Sequence, residues 1–373
     1  MSDTRTYYAS CAFGTESCVR FEIEKLGAEH LRTSDGRVYF EADPSALARV
    51  CIGSRCADRI YMVLSEFKAV TFDELFEGVK ACGFGDIIPP GAAMPVSGDA
   101  VHSVLGSVSD VQAVSKKAVI ESMKRHYGDI RFEEDKKPFG IYVTIVRDMV
   151  TVGINMVGKG LSRRGYRIHN TKAPIKETLA ASLINIARWY SHPFYDPMCG
   201  SGTIAIEAAM MAKNIMPGQK RHFDAVHFGM EYKRAFDQER QRAADGIIKS
   251  DVPVFASDVS AEQAELTSFH AERAGVDDIL KVERKHIKDF SMPYKTAVIV
   301  TNPPYAVRLG EKEETEKLYA QMGSALLKYD DAKIFVICAD ERFESRFGAR
   351  ADKKRKLSNA GLKTYYYQYF RKR

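Results

Sequence analysis

From residue 177 onward, short apolar runs alternate with longer segments whose apolar residues recur at helical spacing. The first such segment places Leu179, Leu183 and Ile186 on one face, and an apolar run ending at Asp196 follows it. This alternation is typical of a doubly wound α/β domain with a largely parallel sheet. The pattern predicts seven strands, which are the run before Asp196 and residues 252–256, 280–284, 298–301, 333–338, 355–357 and 363–370.

The first half of the chain has a different pattern. Residues 6–67 predict the order strand, helix, strand, strand, helix, strand, which is ferredoxin-like. Residues 68–158 predict a second α+β unit, in which Asp110 is expected to cap a long helix. The elements of this second unit are helices at 71–82 and 110–127 and strands at 94–97, 140–147 and 149–156. A linker is expected at 158–160, and an insertion with a charged helix is expected within 214–250.

A glycine-bearing turn follows Asp196 and leads into an apolar helical segment. Gly200 and Gly202 let the backbone approach a ligand closely, and the N–H groups that begin the helix would face that ligand. The dinucleotide fingerprint is incomplete, because Ala205 stands where a third glycine is needed. A carboxylate at Asp196 suits a cationic ligand better than a pyrophosphate, which favours S-adenosylmethionine. The alternative is an ordinary strand–helix turn of an α/β domain.

A second buried-strand pattern ends in Asn302-Pro303-Pro304-Tyr305. The two prolines end the strand and stiffen the loop. The amide oxygen of Asn302 and the carbonyl of Pro303 can accept from an exocyclic amine, and Tyr305 offers a flat face for a base. This run resembles the Asn-Pro-Pro-Tyr motif of amino methyltransferases, the alternative being a Pro-Pro turn after a core strand. Transfer to carbon 5 of a pyrimidine is disfavoured, because Pro304 stands where a cysteine nucleophile would be needed.

Two further acids follow strands of the predicted sheet, whose ligands should lie at the carboxyl ends of the strands. Asp258 can bind both ribose hydroxyls of a nucleoside, cap the helix that follows it, or do both. Asp289 can receive an adenine amino group while Phe290 packs against the ring, or it can be a surface acid of a loop. His286 is assigned no role, because a lone histidine is more often structural than catalytic.

Charge is distributed unevenly along the 373-residue chain, whose formal net charge is +6. Residues 350–373 hold nine Lys or Arg and one acid, Asp352, whereas residues 159–176 hold six Lys or Arg and no acid. The rest of the chain is therefore net acidic. The two basic segments are interpreted either as phosphate-facing surfaces or as solvated charged faces.

Other features of the composition argue against several classes of protein. The chain has no run of about 18 apolar residues, and its first residues carry no apolar signal segment. Its seven cysteines are scattered without a Cys-x-x-Cys pair. We therefore expect a cytoplasmic protein without a membrane partner, a metal site or a disulfide framework.

Two stretches carry a close family resemblance. Residues 161–206 contain Arg-Arg-Gly-Tyr-Arg, Ala-Pro-Ile-Lys-Glu-Thr and Asp-Pro-Met-Cys-Gly-Ser-Gly-Thr, and residues 297–310 contain Asn-Pro-Pro-Tyr. The whole chain resembles the THUMP-domain guanine-N2 methyltransferases of large-subunit ribosomal RNA and their bacterial relatives. It departs from the family at 306 and 307, where Ala and Val stand in place of the usual Gly and Glu, while Arg308 and Leu309 match the family. The lost acid leaves the identity of the target base open.

The resemblance implies a fold, a cofactor and a partner. The fold is a class I, Rossmann-like, seven-stranded methyltransferase domain preceded by α+β ferredoxin-like and THUMP domains. The cofactor is S-adenosyl-L-methionine, and the partner is RNA, with ribosomal RNA favoured. The implied domains are ferredoxin-like at 1–67, THUMP-like and RNA-binding at 68–158, a basic linker and cofactor-domain entrance at 159–176, and the methyltransferase at 177–373.

The expected site residues fall into three groups. Catalysis is expected of Asn302, Pro303 and Tyr305. RNA binding is expected of Arg163, Arg164 and Arg167. Cofactor binding is expected of Lys176, Thr178, Asp196, Met198, Gly200, Gly202, Thr203, Asp258 and Asp289.

The expected reaction is S-adenosylmethionine-dependent methylation of an exocyclic amine in RNA, with guanine N2 of 23S ribosomal RNA favoured. One alternative is guanine N2 of transfer RNA. Another is adenine N6 of DNA, whose enzymes share the Asn-Pro-Pro-Tyr motif, although the RNA-binding module disfavours it. A non-catalytic RNA-binding assembly factor is disfavoured by the intact 302–305 motif.

Overall fold

A computed structural model of the chain describes residues 4–129, 138–167, 174–305 and 312–370. These residues form two seven-stranded sheets, one in each half of the chain. None of the helices in these ranges is long and apolar enough to cross a membrane.

The N-terminal half forms one continuous sheet. Its elements are β1 Arg5–Ser10, α1 Glu16–Lys25, β2 Glu29–Ser34, β3 Arg37–Ala42, α2 Pro44–Gly53, β4 Arg59–Lys68, α3 Phe72–Lys80, β5 Val96–Val101, α4 Val108–Tyr127, β6 Ile141–Val146 and β7 Met149–Asn155. The strands lie in the order β2-β3-β1-β4-β7-β6-β5. Strand β4 pairs with both β1 and β7. The predicted boundary at 67/68 therefore falls within a single sheet.

Each part of this sheet has its own core. Helices α1 and α2 cover the strands of the ferredoxin-like part, and α3 and α4 cover β6 and β7. Helix starts follow local sequence, since the Asp43 side chain caps α2 and Thr71 forms a capping box with Glu74 before α3. The prediction that Asp110 caps the long helix was wrong. Ser107, three residues earlier, accepts from the backbone N–H of Asp110 and is the cap.

The C-terminal half confirms the predicted class I methyltransferase fold. Its elements are α5 Glu177–Ile186, β8 Phe194–Asp196, α6 Thr203–Ala212, α7 Met230–Asp245, β9 Val254–Asp258, α8 Ala261–Ala274, β10 Leu280–Arg284, β11 Val298–Thr301, α9 Lys312–Leu326, β12 Lys333–Cys338, α10 Phe343–Phe347, β13 Lys353–Asn359 and β14 Leu362–Tyr369. The strand order is β10-β9-β8-β11-β12-β14-β13. The first five are parallel, and the terminal hairpin adds two antiparallel strands.

Strand β8 lies in the middle of the sheet, between β9 and β11. From β8 the chain runs outward through β9 to β10, then crosses back to β11 and runs outward in the opposite direction to β12. Such a reversal opens a crevice at the carboxyl ends of the central strands. Asp196, Asp258 and Thr301 are the last residues of β8, β9 and β11. The topology therefore brings two acids and the start of the 302–305 motif to one edge.

The insertion after α6 joins the methyltransferase domain to the N-terminal sheet. Tyr232 and Phe236 of α7 lie in the same hydrophobic cluster as Tyr7 of β1. The hydroxyls of Tyr7 and Tyr232 lie 3.3 Å apart, and the backbone N–H of Gly218 donates to the carbonyl of Ile52 at 2.9 Å. The insertion is thus a structural part of both halves.

The segment predicted to be a linker is held by a side chain of the insertion. Nη1 of Arg221 donates to the carbonyls of Gly160 and Arg163, each at 2.7 Å, and Nη2 donates to the carbonyl of Lys159. Arg59 also donates to the carbonyl of Gly158 at 2.7 Å. These bonds fix the course of the chain between the two sheets.

Candidate active site

A cavity of about 1170 Å³ occupies the crevice at the carboxyl ends of β8, β9 and β11. Its walls come from the loops after these strands, from α8 and from the end of β13. Eight of the predicted site residues line it, namely Asp196, Met198, Gly200, Thr203, Asp258, Asn302, Pro303 and Tyr305. The glycine loop and the Asn-Pro-Pro-Tyr motif, about 100 residues apart in sequence, therefore meet in one cavity.

The loop between β8 and α6 contains two glycines in left-handed backbone conformations. Gly200 has a φ of +52° and Gly202 a φ of +83°. The space beside Gly200 is open, because a Cβ atom there would lie 4.0 Å from its nearest neighbour, Oε1 of Gln263. A Cβ atom at Gly202 would lie 2.5 Å from Cγ2 of Thr267. Gly200 thus leaves the cavity accessible, whereas Gly202 lies behind the wall and allows α8 to pack against the loop.

Asp196 presents a buried carboxyl group to the cavity. One of its oxygens accepts from the hydroxyl of Thr301 at 2.9 Å, and the N–H of Met198 also donates to the carboxylate. Burial raises the pKa of Asp196 to about 7, and the nearby charge of Asp258 adds to this effect, while the two hydrogen bonds oppose it. The group can therefore ionise near neutral pH when a cation is brought beside it.

We expect the affinity for S-adenosylmethionine to rise with pH until it levels off above about 7, because Asp196 must lose its proton before it can pair with a cation. Below that pH, affinity should fall by up to about tenfold per pH unit. Asp196→Asn should bind weakly and with little pH dependence. Calorimetry from about pH 5.5 to 8.5 measures both proteins. Equal affinities throughout would remove Asp196 from the cofactor site.

Without ligand, the same group should affect folding in the opposite direction. Because its folded pKa is raised above the ordinary 3.8, its contribution to stability is complete below that value and is lost as the pH rises through about 7. The melting temperature of the wild type should therefore decline relative to Asp196→Asn between these pH values. Parallel melting curves for the two unliganded proteins would contradict the raised pKa.

Asp258, at the end of β9, bonds to the glycine loop and does not cap the following helix. Its Oδ2 accepts from the N–H of Gly200 at 2.9 Å, and its Oδ1 accepts from the N–H of Ser260 at 2.9 Å. The cap of α8 is Ser260, whose hydroxyl accepts from the N–H of Gln263. Each carboxylate oxygen has a second lone pair, so Asp258 can still accept from two ribose hydroxyls.

The 302–305 motif leaves β11 at the wall of the same cavity. The hydroxyl of Tyr305 donates to the amide oxygen of Asn302, which orients that amide. The hydroxyl of Tyr319 donates to the carbonyl of Pro304 at 3.1 Å. Within the described part of the chain, no group donates to the carbonyl of Pro303, so this oxygen can accept from a ligand. Residues 306 and 307, where the sequence departs from the family, lie outside the described ranges.

Asp289 does not lie where the adenine prediction required. A single 3-10 turn over Ile287–Asp289 leaves Asp289 exposed and brings His286 and Ile287 to the cavity wall. Phe290 is buried in the core of the domain. Because the turn rotates the chain after β10, the apolar Ile287 takes the position at the cavity. Nδ1 of His286 accepts from the backbone N–H of Lys288 and so caps this turn.

Lys176 and Thr178 also differ from the prediction, since both contact Asp58 of the N-terminal sheet. Nζ of Lys176 lies 3.6 Å from Oδ2 of Asp58, and the hydroxyl of Thr178 donates to Oδ1. Pro174 and Ile175 line the cavity instead. Adjacent side chains of an extended segment point in opposite directions, so the placement of Ile175 directs Lys176 away from the cofactor.

Two of the three arginines predicted to bind RNA lie inside the protein. The Arg164 side chain is 1% exposed and pairs with the fully buried Glu207 at 3.1 Å. Arg167 is 11% exposed and pairs with Glu177 at 3.6 Å. Arg163 is exposed and is the one member of the trio that the structure leaves accessible to RNA. Arg164 and Arg167 therefore have a structural role, whereas Lys159, Arg163 and Lys176 of the same basic run are exposed.

Sequence reasoning missed several residues of the cavity wall. Val259 and Phe269 are 58% and 41% exposed although both are apolar and line the cavity. Exposed apolar side chains at a cavity suit a flat, partly apolar ligand such as adenine. An aromatic residue such as Phe269 on the polar face of a helix is a feature that the sequence alone could have revealed. Asn359 is the last residue of β13, far away in sequence, and only the fold brings it to the site.

Fold and cavity together define a class I methyltransferase. A model of the RMKL-like methyltransferase domain matches residues 164–368, and a model of the RlmL ferredoxin-like domain matches residues 6–61. Because the first match covers more than half of the chain, the protein belongs to the RMKL-like methyltransferase family.

Individual relatives extend this comparison. The chain is 38% identical over 371 residues to "Putative RNA methyltransferase YpsC" of Bacillus subtilis (strain 168), covering 98% of this chain and 96% of that protein. It is 31% identical to the Ribosomal RNA large subunit methyltransferase K/L of Hahella chejuensis (strain KCTC 2396), covering 96% of this chain and 52% of that protein. The chain thus spans about half the length of this K/L relative.

A solved structure adds the cofactor. The crystal structure of SMU.472, "a putative methyltransferase complexed with SAH", superposes with a TM-score of 0.91 at 33% identity and covers 100% of both chains. The residues that line the present cavity fit such a ligand. They include a buried acid that can pair with a cation, a second acid beside an open glycine, and exposed apolar side chains. The protein is an S-adenosylmethionine-dependent methyltransferase.

Proposed function

We propose that this protein methylates guanine N2 in large-subunit ribosomal RNA. The observation that carries the proposal is the convergence of Asn302, Pro303 and Tyr305 on the cavity that also contains Asp196 and the glycine loop. Amine-directed acceptors and a cofactor-binding loop in one cavity favour methyl transfer to an exocyclic nitrogen. The names of the relatives, which include ribosomal RNA methyltransferases of the K/L type, favour ribosomal RNA as the substrate.

The residues of the motif would position the amine and would not act as strong bases. Bound S-adenosylmethionine supplies an electrophilic methyl group, so the protein must align the amine lone pair with it. The Asn302 amide oxygen accepts from Tyr305 through one lone pair and retains a second for a substrate N–H. The Pro303 carbonyl can accept the other N–H. These acceptors would stabilise the positive charge that develops on nitrogen during transfer.

Tyr305 has two proposed functions in this arrangement. Its hydroxyl orients the Asn302 amide, and its ring, which is partly buried, would stack on a base that has left its helix or loop. Tyr305→Phe should therefore retain RNA affinity and lose a few-fold in turnover, since it keeps the ring and loses one orienting bond. Tyr305→Ala should lose both. Single-turnover kinetics with RNA titrations distinguish the two functions, and equal effects of both variants would contradict the stacking role.

RNA binding by this enzyme should depend steeply on salt, because phosphate contacts release counterions. Arg163 is exposed, and so are Lys353, Lys354 and Lys356 of the edge strand β13. We expect Arg163→Ala to reduce the slope of log affinity against log salt by about one. Lys249→Ala, an exposed lysine outside both basic segments, is the matched control. Identical slopes for wild type and Arg163→Ala would place the phosphate contacts elsewhere.

The substrate is best identified in a strain that lacks this protein. Ribosomal RNA from such a strain should lack one N2-methylguanosine found in the parent, and purified enzyme with S-adenosylmethionine should restore it. Mass mapping of nucleosides after nuclease digestion provides the measurement. A restored mark in transfer RNA would reassign the substrate, and a mark at adenine N6 would reassign the target base. No change in any RNA would overturn the proposal.

A further inference from the structure

One face of the N-terminal sheet carries helices, and the other carries a row of tyrosines. Alternate residues of a strand point to opposite faces. Tyr7 and Met62 point into the core beneath α1 and α2, and Ile154, which pairs with Met62, points into the core beneath α3 and α4. The side chains at neighbouring positions, Tyr8 and Tyr61, therefore lie on the face opposite to all four helices.

Four tyrosine rings form a ladder across this face, which we call the tyrosine ladder. Its members, in order, are Tyr39, Tyr8, Tyr61 and Tyr142. Successive ring centroids lie 5.6, 4.9 and 4.9 Å apart. Tyr61 and Tyr142 lie on strands separated by β7, and Gly153 of β7 allows their rings to meet. A Cβ atom at Gly153 would lie 3.2 Å from Cβ of Tyr61.

The ladder ends beside a cavity of about 650 Å³. Ser97 of β5 pairs with Tyr142 in register, so its side chain occupies the next position along the row. Ser97 is small and exposed and lines the cavity together with Tyr8, Tyr61 and Tyr142. Space for one more flat ring therefore exists where the row of tyrosines stops.

Cationic side chains surround this cavity. Arg37, Arg59 and Lys176 line it, together with the acids Asp58 and Asp99. The guanidinium of Arg37 lies 4.9 Å from the centroid of the Tyr8 ring, and the Lys176 side chain is 58% exposed. Aromatic rings beside arginine and lysine are the combination that binds unpaired nucleotides, with the rings for bases and the cations for phosphates.

The hydroxyl of Tyr8 provides an independent indication of a ligand. Tyr8 is 0% exposed, it lines the cavity, and its hydroxyl has no hydrogen-bond partner among the described residues. A buried polar group without a partner costs free energy, so native proteins rarely retain one without a reason. A ligand in the cavity could supply that partner.

The cofactor cavity and the cavity at the tyrosine ladder adjoin at one short segment. Ile175 lines the cofactor cavity, and the next residue, Lys176, lines the cavity at the tyrosine ladder. Consecutive Cα atoms are about 3.8 Å apart. A strand that leaves the catalytic cavity therefore needs to pass only this segment to reach the ladder.

We propose that the cavity at the tyrosine ladder binds an unpaired nucleotide of the substrate RNA, whose base continues the stack beyond Tyr142. The phosphates of that strand lie near Arg37, Arg59 and Lys176, and the Tyr8 hydroxyl gains a partner. This site holds the RNA beside the target base while that base occupies the catalytic cavity. The proposal rests on RNA being the substrate.

The first test fills the proposed base position. Ser97→Trp places an indole where the base would stack, and Ser109→Trp makes the same change at an exposed position on α4, on the helix-covered face. The probe is a short labelled single-stranded oligoribonucleotide of mixed sequence, titrated onto the full chain. Ser97→Trp should weaken binding about tenfold or more, the scale of one lost stacked base, while Ser109→Trp should not. Unchanged or tighter binding by Ser97→Trp would overturn the proposal.

The second test removes only the Tyr8 hydroxyl. If that group bonds to a nucleotide, Tyr8→Phe should weaken oligoribonucleotide binding about threefold to tenfold, the effect of one hydrogen bond. Its melting temperature should be equal to or above that of the wild type, because a buried unpartnered group is lost. Unchanged RNA affinity would overturn the role of the hydroxyl.

The experiments distinguish failure of the proposed function from failure of the proposed nucleotide site. If wild type binds and methylates no RNA, the RNA substrate itself is wrong. If wild type methylates its RNA and the Ser97→Trp enzyme does so with unchanged KM and kcat, only the nucleotide site is wrong. If the Ser97→Trp enzyme has a raised KM for RNA and an unchanged affinity for S-adenosylhomocysteine, the nucleotide site is supported.

Discussion

Replacing Asn302 by alanine should lower turnover by about a hundredfold or more and leave the affinity for S-adenosylmethionine near that of the wild type. In enzyme active sites, the loss of one oriented hydrogen-bond partner of a charge that develops in the transition state lowers turnover by about this factor. Asn302 lies at the cavity wall after β11, and its amide is oriented by the Tyr305 hydroxyl. The carboxylates that would hold the cofactor, Asp196 and Asp258, belong to other strands. The loss should therefore appear in the chemical step.

Single-turnover kinetics and calorimetry on the same preparations measure both quantities. Tyr305→Phe is the matched control, because it removes the bond to Asn302 without removing the acceptor and should lose only a few-fold. If Asn302 acted only as a turn residue, the alanine variant would lose melting temperature and cofactor affinity together. An Asn302→Ala enzyme with normal turnover on its identified RNA would refute the proposed mechanism, although the methyltransferase assignment would remain.

Features encoded within a few neighbouring residues were predictable from the sequence. Strand β8, the glycine loop and α6 occupy one continuous stretch of sequence. Two glycines shape the loop that faces the ligand, and the helical spacing of apolar residues predicts α6. The proline-bearing end of β11 is similarly local. The helix predicted at 71–82 begins within a residue of its observed start at Phe72, where Thr71 and Glu74 form a capping box. In each case the decisive interactions are formed by residues close in sequence.

Features that depend on distant pairing were not predictable. Arg164 and Arg167 look like parts of a surface basic run, but Arg164 pairs with Glu207, 43 residues later. The sequence offers no sign of which arginine finds a buried acid. The N-terminal units look separable, yet β4 and β7 pair across 85 residues at Glu66 and Thr151. A helix-free sheet face with stacked tyrosines likewise exists only once that pairing is made.

Among the residues that the sequence predicts to be exposed, substitution of Arg164 should lower the stability of the protein most. Its guanidinium donates to both carboxylate oxygens of Glu207, at 3.2 and 3.1 Å, and to the carbonyls of Leu161 and Arg55. Burial opposes the charge of Arg164, but the charge and hydrogen bonds of Glu207, together with the nearby Tyr166 and Glu177, outweigh it and raise the pKa of the arginine. Arg55 belongs to the N-terminal unit and Glu207 to α6, so this one side chain connects both halves of the protein.

Arg164→Met should therefore lower the free energy of unfolding by about 3–5 kcal/mol, because it leaves Glu207 buried without its main partner. The adjacent, exposed Arg163 provides the matched control, and Arg163→Ala should change stability by no more than about 0.5 kcal/mol. Denaturant titration at neutral pH measures all variants. If Arg164→Met were as stable as Arg163→Ala, the buried pair would have no net role in holding the halves together.

A double substitution distinguishes an uncompensated charge from lost packing. Arg164→Met combined with Glu207→Leu removes both charges and keeps similar volume, and apolar replacement of a buried pair is often neutral. If the charge on Glu207 causes the loss, the double variant should recover most of it. If the double variant stays as unstable as Arg164→Met, the bonds to the carbonyls of Leu161 and Arg55 carry the effect, because methionine restores neither. Arg164 would then stabilise the junction chiefly as a donor to backbone and not as the partner of Glu207.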